Sequence, residues 1–171
     1  MRTVITGVLV ALLGLSTSAQ QPPLPATDLT NAEITAFIDK LPKDAISDLP
    51  IKVVDVGGYR VGVYGVFRPK SAKQDAVLHE VRTTEVYQML EGVGTLITGG
   101  RLVDERRDPK STTVRGSRID GGVSRRVVKG DVIIIPGRTP HWWSELETDI
   151  KYTIIRPDPE NRLPLRQGET R

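Results

Sequence analysis

The chain of 171 residues has no cysteine at all, only two histidines and only eight aromatic residues, two of them tryptophan. Without cysteine there is no disulfide, no thiolate nucleophile and no thiolate metal site, so a packed core must hold the fold unaided. With two histidines there are few ways to bind a transition metal. No GxSxG segment is present, and neither histidine sits in a nucleophile-elbow context, which argues against serine-hydrolase chemistry. Gly57-Gly58 and Gly99-Gly100 are turn glycines with no helix after them, so phosphate cradles are not expected. No carboxylate spacing suggests glycoside cleavage. The only long apolar run is Val4 to Leu15.

That run follows a short positive start, Met1-Arg2, and precedes the small residues Ser16-Thr17-Ser18-Ala19. The pattern is that of a secretory signal peptide cleaved after Ala19, and it predicts a periplasmic or secreted protein. A retained anchor is the alternative, although the run is short for a bilayer. With no cysteine after it, a bacterial lipoprotein anchor is excluded. The mature chain would carry 23 Lys+Arg against 21 Asp+Glu. So small an excess gives no reason to expect nucleic-acid or membrane partners.

At this length one domain with a real core is expected. Residues 20–29 form a proline-rich lead-in, and residues 30–165 the domain, with its core at 51–155 and a tail at 166–171. Thr30-Asn-Ala-Glu33 reads as a capping box, and Ile34, Phe37, Ile38 and Leu41 follow at helical spacing before Pro42. From Ile51 to Ile155 the chain reads as short strands separated by Gly and Pro turns, beginning with a hairpin at Gly57-Gly58. The fold class is therefore all-β, an antiparallel sandwich or barrel with one N-terminal amphipathic helix. Residues 99–122 read as a polar insertion between strands. Between Arg101 and Lys129 stand nine basic and four acidic residues, which suits either a solvated loop or an anion-attracting lid. From Arg156 the chain is proline-broken and charged.

Two segments carry chemistry. The first is His79-Glu-Val81-Arg-Thr-Thr-Glu85, with Gly92 seven residues on; the second is Gly130-Asp-Val-Ile-Ile-Ile-Pro136, with His141 five residues on. They resemble the paired motifs of the cupin superfamily. In that pattern a second histidine stands where this chain has Val81, and a glycine stands where it has Arg138, with Gly137 alongside. The segments Thr84–Gly92 and Arg126–Trp142 further resemble a group of exported bacterial cupins. The resemblance covers roughly residues 50 to 155 and implies a double-stranded β-helix barrel, a jelly roll. It places His79, Glu85 and His141 as metal ligands.

Strand alternation supports that convergence. His79 and Val81 share a face, the turn at Arg82-Thr83-Thr84 can return Glu85 beside His79, and the bends at Pro136-Gly137 and Thr139-Pro140 can deliver His141. Two imidazoles and a carboxylate leave positions open for water or substrate and suit Fe, Mn, Zn or Ni, one divalent ion of unspecified identity. Imidazoles titrate near neutrality, so metal occupancy is expected to fall below about pH 6. The alternative is a metal-free polar cluster, with Glu85 answered by Arg82 or Arg60. By alternation Trp143 shares the interior side with His141. Tyr87 and Trp143 are candidate pocket residues, and Tyr87 and Glu85 are candidate catalytic groups. Arg101, Arg125 or Arg126 could recruit an anionic substrate.

Three roles follow. One is a metal-dependent small-molecule enzyme: an oxygenase, isomerase or lyase. The second is a metal-free binding module for a sugar or organic acid. The third is an assembly partner, since the resemblance also implies dimerisation through edge strands or sheet faces.

Overall fold

The computed structural model describes residues 23–166. The expected leader at 1–19 and the tail residues 167–171 lie outside the described residues.

The chain first forms α1 (Asn31–Asp39), whose capping box is complete: the Thr30 side chain accepts from the Glu33 amide, and Glu33 accepts from the Thr30 amide. This reciprocal pairing satisfies two amides that a helix start would leave open. The remaining elements are strands. They run β1 (Ser47–Asp55), β2 (Arg60–Arg68), β3 (Ala76–His79), β4 (Glu85–Glu91) and β5 (Gly94–Thr98). Four short ones follow, β6 (Arg101–Val103), β7 (Arg106–Arg107), β8 (Thr113–Gly116) and β9 (Arg118–Asp120). The last four are β10 (Val123–Val127), β11 (Val132–Ile135), β12 (His141–Leu146) and β13 (Ile150–Asp158).

Two antiparallel sheets dominate, with strand orders β1-β2-β13-β4-β11 and β10-β5-β12-β3-β8-β7. Their strands alternate buried and exposed residues: β4 buries Glu85, Tyr87 and Met89 but turns Gln88 outward, and β12 buries His141, Trp143 and Leu146. Such period-2 burial puts one face of each sheet into a shared interior. Tyr87, Met89, Tyr152 and Ile154 from the first sheet meet Leu96, Val127, Trp143 and Leu146 from the second. The architecture is the cupin-type double-stranded β-helix, a jelly roll, with α1 on the outside. Ile38 and Leu41 of the helix segment pack there on Phe67.

The structure corrects two expectations. Residues 99–122 are not a loop. β8 pairs with β3 and β7 with β8, extending the second sheet, while β6 and β9 form a separate ribbon. Single apolar residues inside charged surroundings, Leu102, Val114 and Ile119, pack on Ala76 and hold this segment down. Runs of three or four residues with one buried side chain each are too short for alternation to stand out in sequence. Also, β13 does not stop before Arg156. It continues through Pro157 to Asp158, paired with β2 along its whole length.

Two glycines are required by the motif turns. Gly92 has φ of +88°, and a side chain there would collide with the Asp149 carbonyl. Gly137 lets the strand before His141 cross the backbone of Arg82: an added Cβ would lie 2.6 Å from the Arg82 carbonyl carbon and oxygen. Arg138, where the cupin pattern has glycine, adopts φ of +64°, and its Nε donates to the Glu80 carbonyl. The arginine thus takes up a glycine-like conformation and anchors it with its own side chain. Because backbone cannot yield cheaply, Gly137→Ala should destabilise the protein by about 1–3 kcal/mol. Thermal unfolding checks this, and an unchanged melting temperature would mean that the two loops do not touch.

Candidate metal centre

His79 closes β3, Glu85 opens β4 and His141 opens β12. One ligand atom from each lies within 4.8 Å of the others. His79 Nε2 is 3.7 Å from Glu85 Oε1, and His141 Nε2 is 3.3 Å from Glu85 Oε2. Each ring is oriented from behind. His141 Nδ1 lies 3.0 Å from the Thr139 carbonyl, which can only accept, so Nδ1 carries the hydrogen and the neutral ring turns its Nε2 lone pair toward Glu85. His79 Nδ1 lies 2.9 Å from Thr113 Oγ1 on β8, its direct cross-strand partner. The segment read as an insertion therefore supplies the residue that aims His79.

Glu85 is buried, only 3% exposed, and does not rely on Arg82 or Arg60. Arg82 is exposed, and Arg60 donates to the carbonyls of Asn161 and Leu163. The partner is Arg156. It stands one residue beyond the Ile155–Val86 pair, across from Glu85; its Nε donates to Oε1 at 2.8 Å, and its Nη2 lies 2.7 Å from the same oxygen as an ion-pair contact. Arg156 also grips Asp48 with Nη1 and Nη2 and lies 4.1 Å over the Tyr64 ring. Tyr87 completes the set, its hydroxyl donating to Glu85 Oε2 at 3.0 Å.

These contacts decide the charges. Burial alone would push the Glu85 carboxyl up; Arg156, then His141 and His79, overcome it and hold it at about 2. Burial lowers His79 to about 4, despite the opposing pull of Glu85, and also lowers His141. Burial, reinforced by Glu85, raises Tyr87 well above its ordinary value. At neutral pH the cluster thus contains a carboxylate, two neutral imidazoles and a neutral phenol.

A cavity of about 510 Å³ opens onto the cluster and includes His79, Val81, Glu85, Tyr87 and His141 in its wall. Val81 does face it. Trp143 shares the interior side with His141 but lies deeper, in the core against Tyr152 at a centroid distance of 5.9 Å, and is not part of the cavity wall. Trp142 packs in the satellite cluster and donates from Nε1 to the Gln74 carbonyl. Arg101 is exposed on β6, Arg125 bonds Thr98 and Arg126 pairs with Glu147; none of the three lines the cavity. Arg156, Asp48, Thr113 and Arg68 do line it and were not singled out in the sequence. Alternation within β13 could have flagged Arg156, which shares a face with Tyr152 and Ile154.

The donor set fits a divalent transition metal. Two atoms each about 2.1 Å from one ion lie roughly 3.0–3.4 Å apart at octahedral or tetrahedral angles. The observed 3.3 and 3.7 Å are close to that spacing. Moreover, the unprotonated Nε2 of His141 faces a carboxylate oxygen at 3.3 Å, two acceptors that repel unless a cation lies near both.

Fold and cluster together define a cupin-type barrel with a two-imidazole, one-carboxylate centre. No protein-family model matches the chain, and no curated protein matches it. Solved structures resemble it at low identity. An RmlC-like cupin family protein from Methanocaldococcus jannaschii is 12% identical over 71% of this chain and 90% of its own, with a TM-score of 0.43. The DMSP lyase DddQ from Ruegeria pomeroyi DSS-3 is 13% identical over 92% of this chain and 87% of its own, with a TM-score of 0.49. An RmlC-like cupin protein from Desulfovibrio desulfuricans is 16% identical over 78% and 96%, with a TM-score of 0.44. The chemistry of the site rests on its own geometry.

The depressed histidine values set an acid limb of stability. The unfolded chain binds a proton at His79 near pH 6.5 whereas the folded chain does so only near 4, so stability is full above about 6.5 and falls as the pH drops toward 4. Glu85 adds a further loss between about 4.5 and 2. In metal-free protein, His79→Gln should flatten the limb between pH 6.5 and 4 in urea titrations. An identical slope in parent and variant would show that His79 is not buried neutral.

Proposed function

We propose that this chain is an exported, metal-dependent enzyme acting on a small oxygen-bearing molecule in the cavity. His79, Glu85 and His141 would hold one divalent ion: Fe, Mn, Zn or Ni. The observation that carries this reading is the aim of the two Nε2 atoms at one buried carboxylate, each ring fixed from behind by its Nδ1 contact. When bound, the ion would supply Lewis acidity or oxygen activation, suiting an oxygenase, isomerase or lyase.

The protein's own groups divide the remaining work. Glu85, held near 2, is too weak a base to take up protons at neutral pH, so its role is that of ligand and fixed negative charge. Tyr87, raised far above neutrality, keeps its proton and serves as a rigid donor to Glu85 Oε2. Thr113 and Thr139 orient the imidazoles, as outer partners of metal-binding histidines do. Val81 leaves one wall apolar where a further imidazole would otherwise stand. Export rests on the Met1–Ala19 pattern, and periplasm or medium is the expected location.

Arg156 supports a second reading. It already neutralises Glu85 through one hydrogen bond and a second close ion-pair contact, which a metal-free barrel that binds a sugar or organic acid would also need. Elemental analysis of untagged protein separates the two. The metal reading expects near-stoichiometric metal that is lost in His79→Ala and in His141→Ala, with strand content preserved by circular dichroism. Protein that is empty as purified and refuses added Fe, Mn, Zn and Ni makes this a binding module.

Val81→His is a sharper probe, because position 81 faces the cavity. An added imidazole should raise metal affinity at least about tenfold in competition with a chelator. Affinity unchanged by the new side chain would place the ion elsewhere. Given the low value of His79, metal affinity should also hold nearly constant from pH 7 down to about 5, lower than free imidazoles would allow. Release beginning at pH 6.5 would contradict that.

A further inference from the structure

Two guanidinium groups reach the cavity wall from the first sheet, and the protein treats them differently. Arg156 is answered by Asp48 and Glu85. Arg68, at the end of β2, meets only neutral groups: Nε donates to the Tyr152 hydroxyl at 2.8 Å and Nη1 to Gln74 Oε1 at 2.9 Å. Among the described residues it forms no ion pair. Its Nη2 has no protein acceptor, yet it is not among the polar atoms sealed from solvent without a partner. Those N–H donors therefore open on the cavity that Arg68 lines.

The carboxylates that share this cavity are already committed. Asp48 and Glu85 belong to Arg156, and Asp75 is in ion-pair range of Arg106 at 2.9 Å, although its Oδ1 has no hydrogen bond. A half-buried cation with no ion-pair partner of its own, only the more distant charge of Asp48, is an unfavourable arrangement for stability alone. Its orientation is nonetheless fixed. Tyr152 is fully buried and packs against Tyr87 at a tilt, ring centroids 4.8 Å apart, which links Arg68 to the wall that carries Glu85. Gln74 is held in turn by its own donors to the carbonyls of Pro69 and Ala72. A guanidinium held in place with free N–H groups facing a cavity is preorganised to receive an oxyanion.

We propose that Arg68 is the anion-recognition residue of the cavity and receives the carboxylate of a small organic acid whose other end faces His79, Glu85 and His141. A carboxylate suits the site better than a phosphate group, because Arg68 is the cation held in place with donors to spare, while Arg115 and Lys73, which also line the cavity, are exposed side chains that no described hydrogen bond fixes. The anchor itself needs no metal. That the acid is a substrate rests on the metal centre proposed above.

Calorimetric titration of succinate, its neutral diamide and inorganic phosphate tests the assignment, with chelator-treated and Mn(II)-loaded protein. Parent protein should bind succinate, and the diamide and phosphate at least about tenfold more weakly. Arg68→Met should weaken succinate binding by at least the same factor. Since that variant also removes a hydrogen bond to Tyr152, Gln74→Glu provides an independent arm: it places an internal carboxylate against Arg68 and should block succinate while retaining the fold. Succinate binding unchanged in both variants, no succinate binding by parent protein, or tighter binding of phosphate would each overturn the proposal. The metal reading fails separately: protein that takes up no Mn(II) but binds succinate through Arg68 keeps the anchor and loses the enzyme. Protein that loads Mn(II) and ignores succinate does the reverse.

Discussion

The site is organised around one buried ion pair, Arg156 with Glu85. A carboxylate placed between two sheets would cost several kcal/mol in lost hydration if left unpaired. Arg156 offsets that cost with its charge and the Nε hydrogen bond, and it is itself stabilised by Asp48 and the Tyr64 ring. With Oε1 committed to Arg156 and Oε2 to Tyr87, the carboxylate has one orientation. The imidazoles converge on a fixed target because of it. Loss of Arg156 would leave a buried carboxylate without its cation, whereas loss of Glu85 would leave Arg156 paired with Asp48 alone.

The same pair sets the terms on which an ion could bind. Arg156 draws electron density from Glu85, so the carboxylate is a weaker donor than a free one. Val81 removes another donor from the cavity wall. Against this, burial favours the neutral form of both imidazoles, lowering His141 and holding His79 at about 4, and their outer partners hold Nε2 facing inward. A centre of this kind trades affinity for open coordination positions, which suits exchange of small ligands more than permanent structural binding.

The three central residues were legible in the sequence because two local patterns, each with its own turn glycine, place them at strand ends on the interior side. The helix start and the opening hairpin were legible for the same reason: their signals lie within a few residues. What escaped was set by cross-strand register. Arg156 meets Glu85 because β13 runs past the point where Pro157 and the charges suggested a tail, and a proline near the end of a strand costs little there. Thr113 meets His79 because an apparently polar insertion hides three isolated apolar anchors. Arginine clusters around 101–126 drew attention as anion attractors, yet the interior cations are single residues inside apolar strands, Arg68 and Arg156. Charge density in sequence reports the solvated surface; it does not report which cations face a cavity.

The most direct test of the central claim is a crystal structure of the untagged protein soaked in Zn(II), with anomalous scattering recorded at the zinc edge. The account predicts one strong peak about 2.0–2.2 Å from His79 Nε2, His141 Nε2 and a Glu85 oxygen, with Arg156 still on the other oxygen. A cluster with no anomalous peak, and Glu85 bound only by Arg156, Tyr87 and water, would contradict it and leave a barrel whose polar interior serves binding without metal.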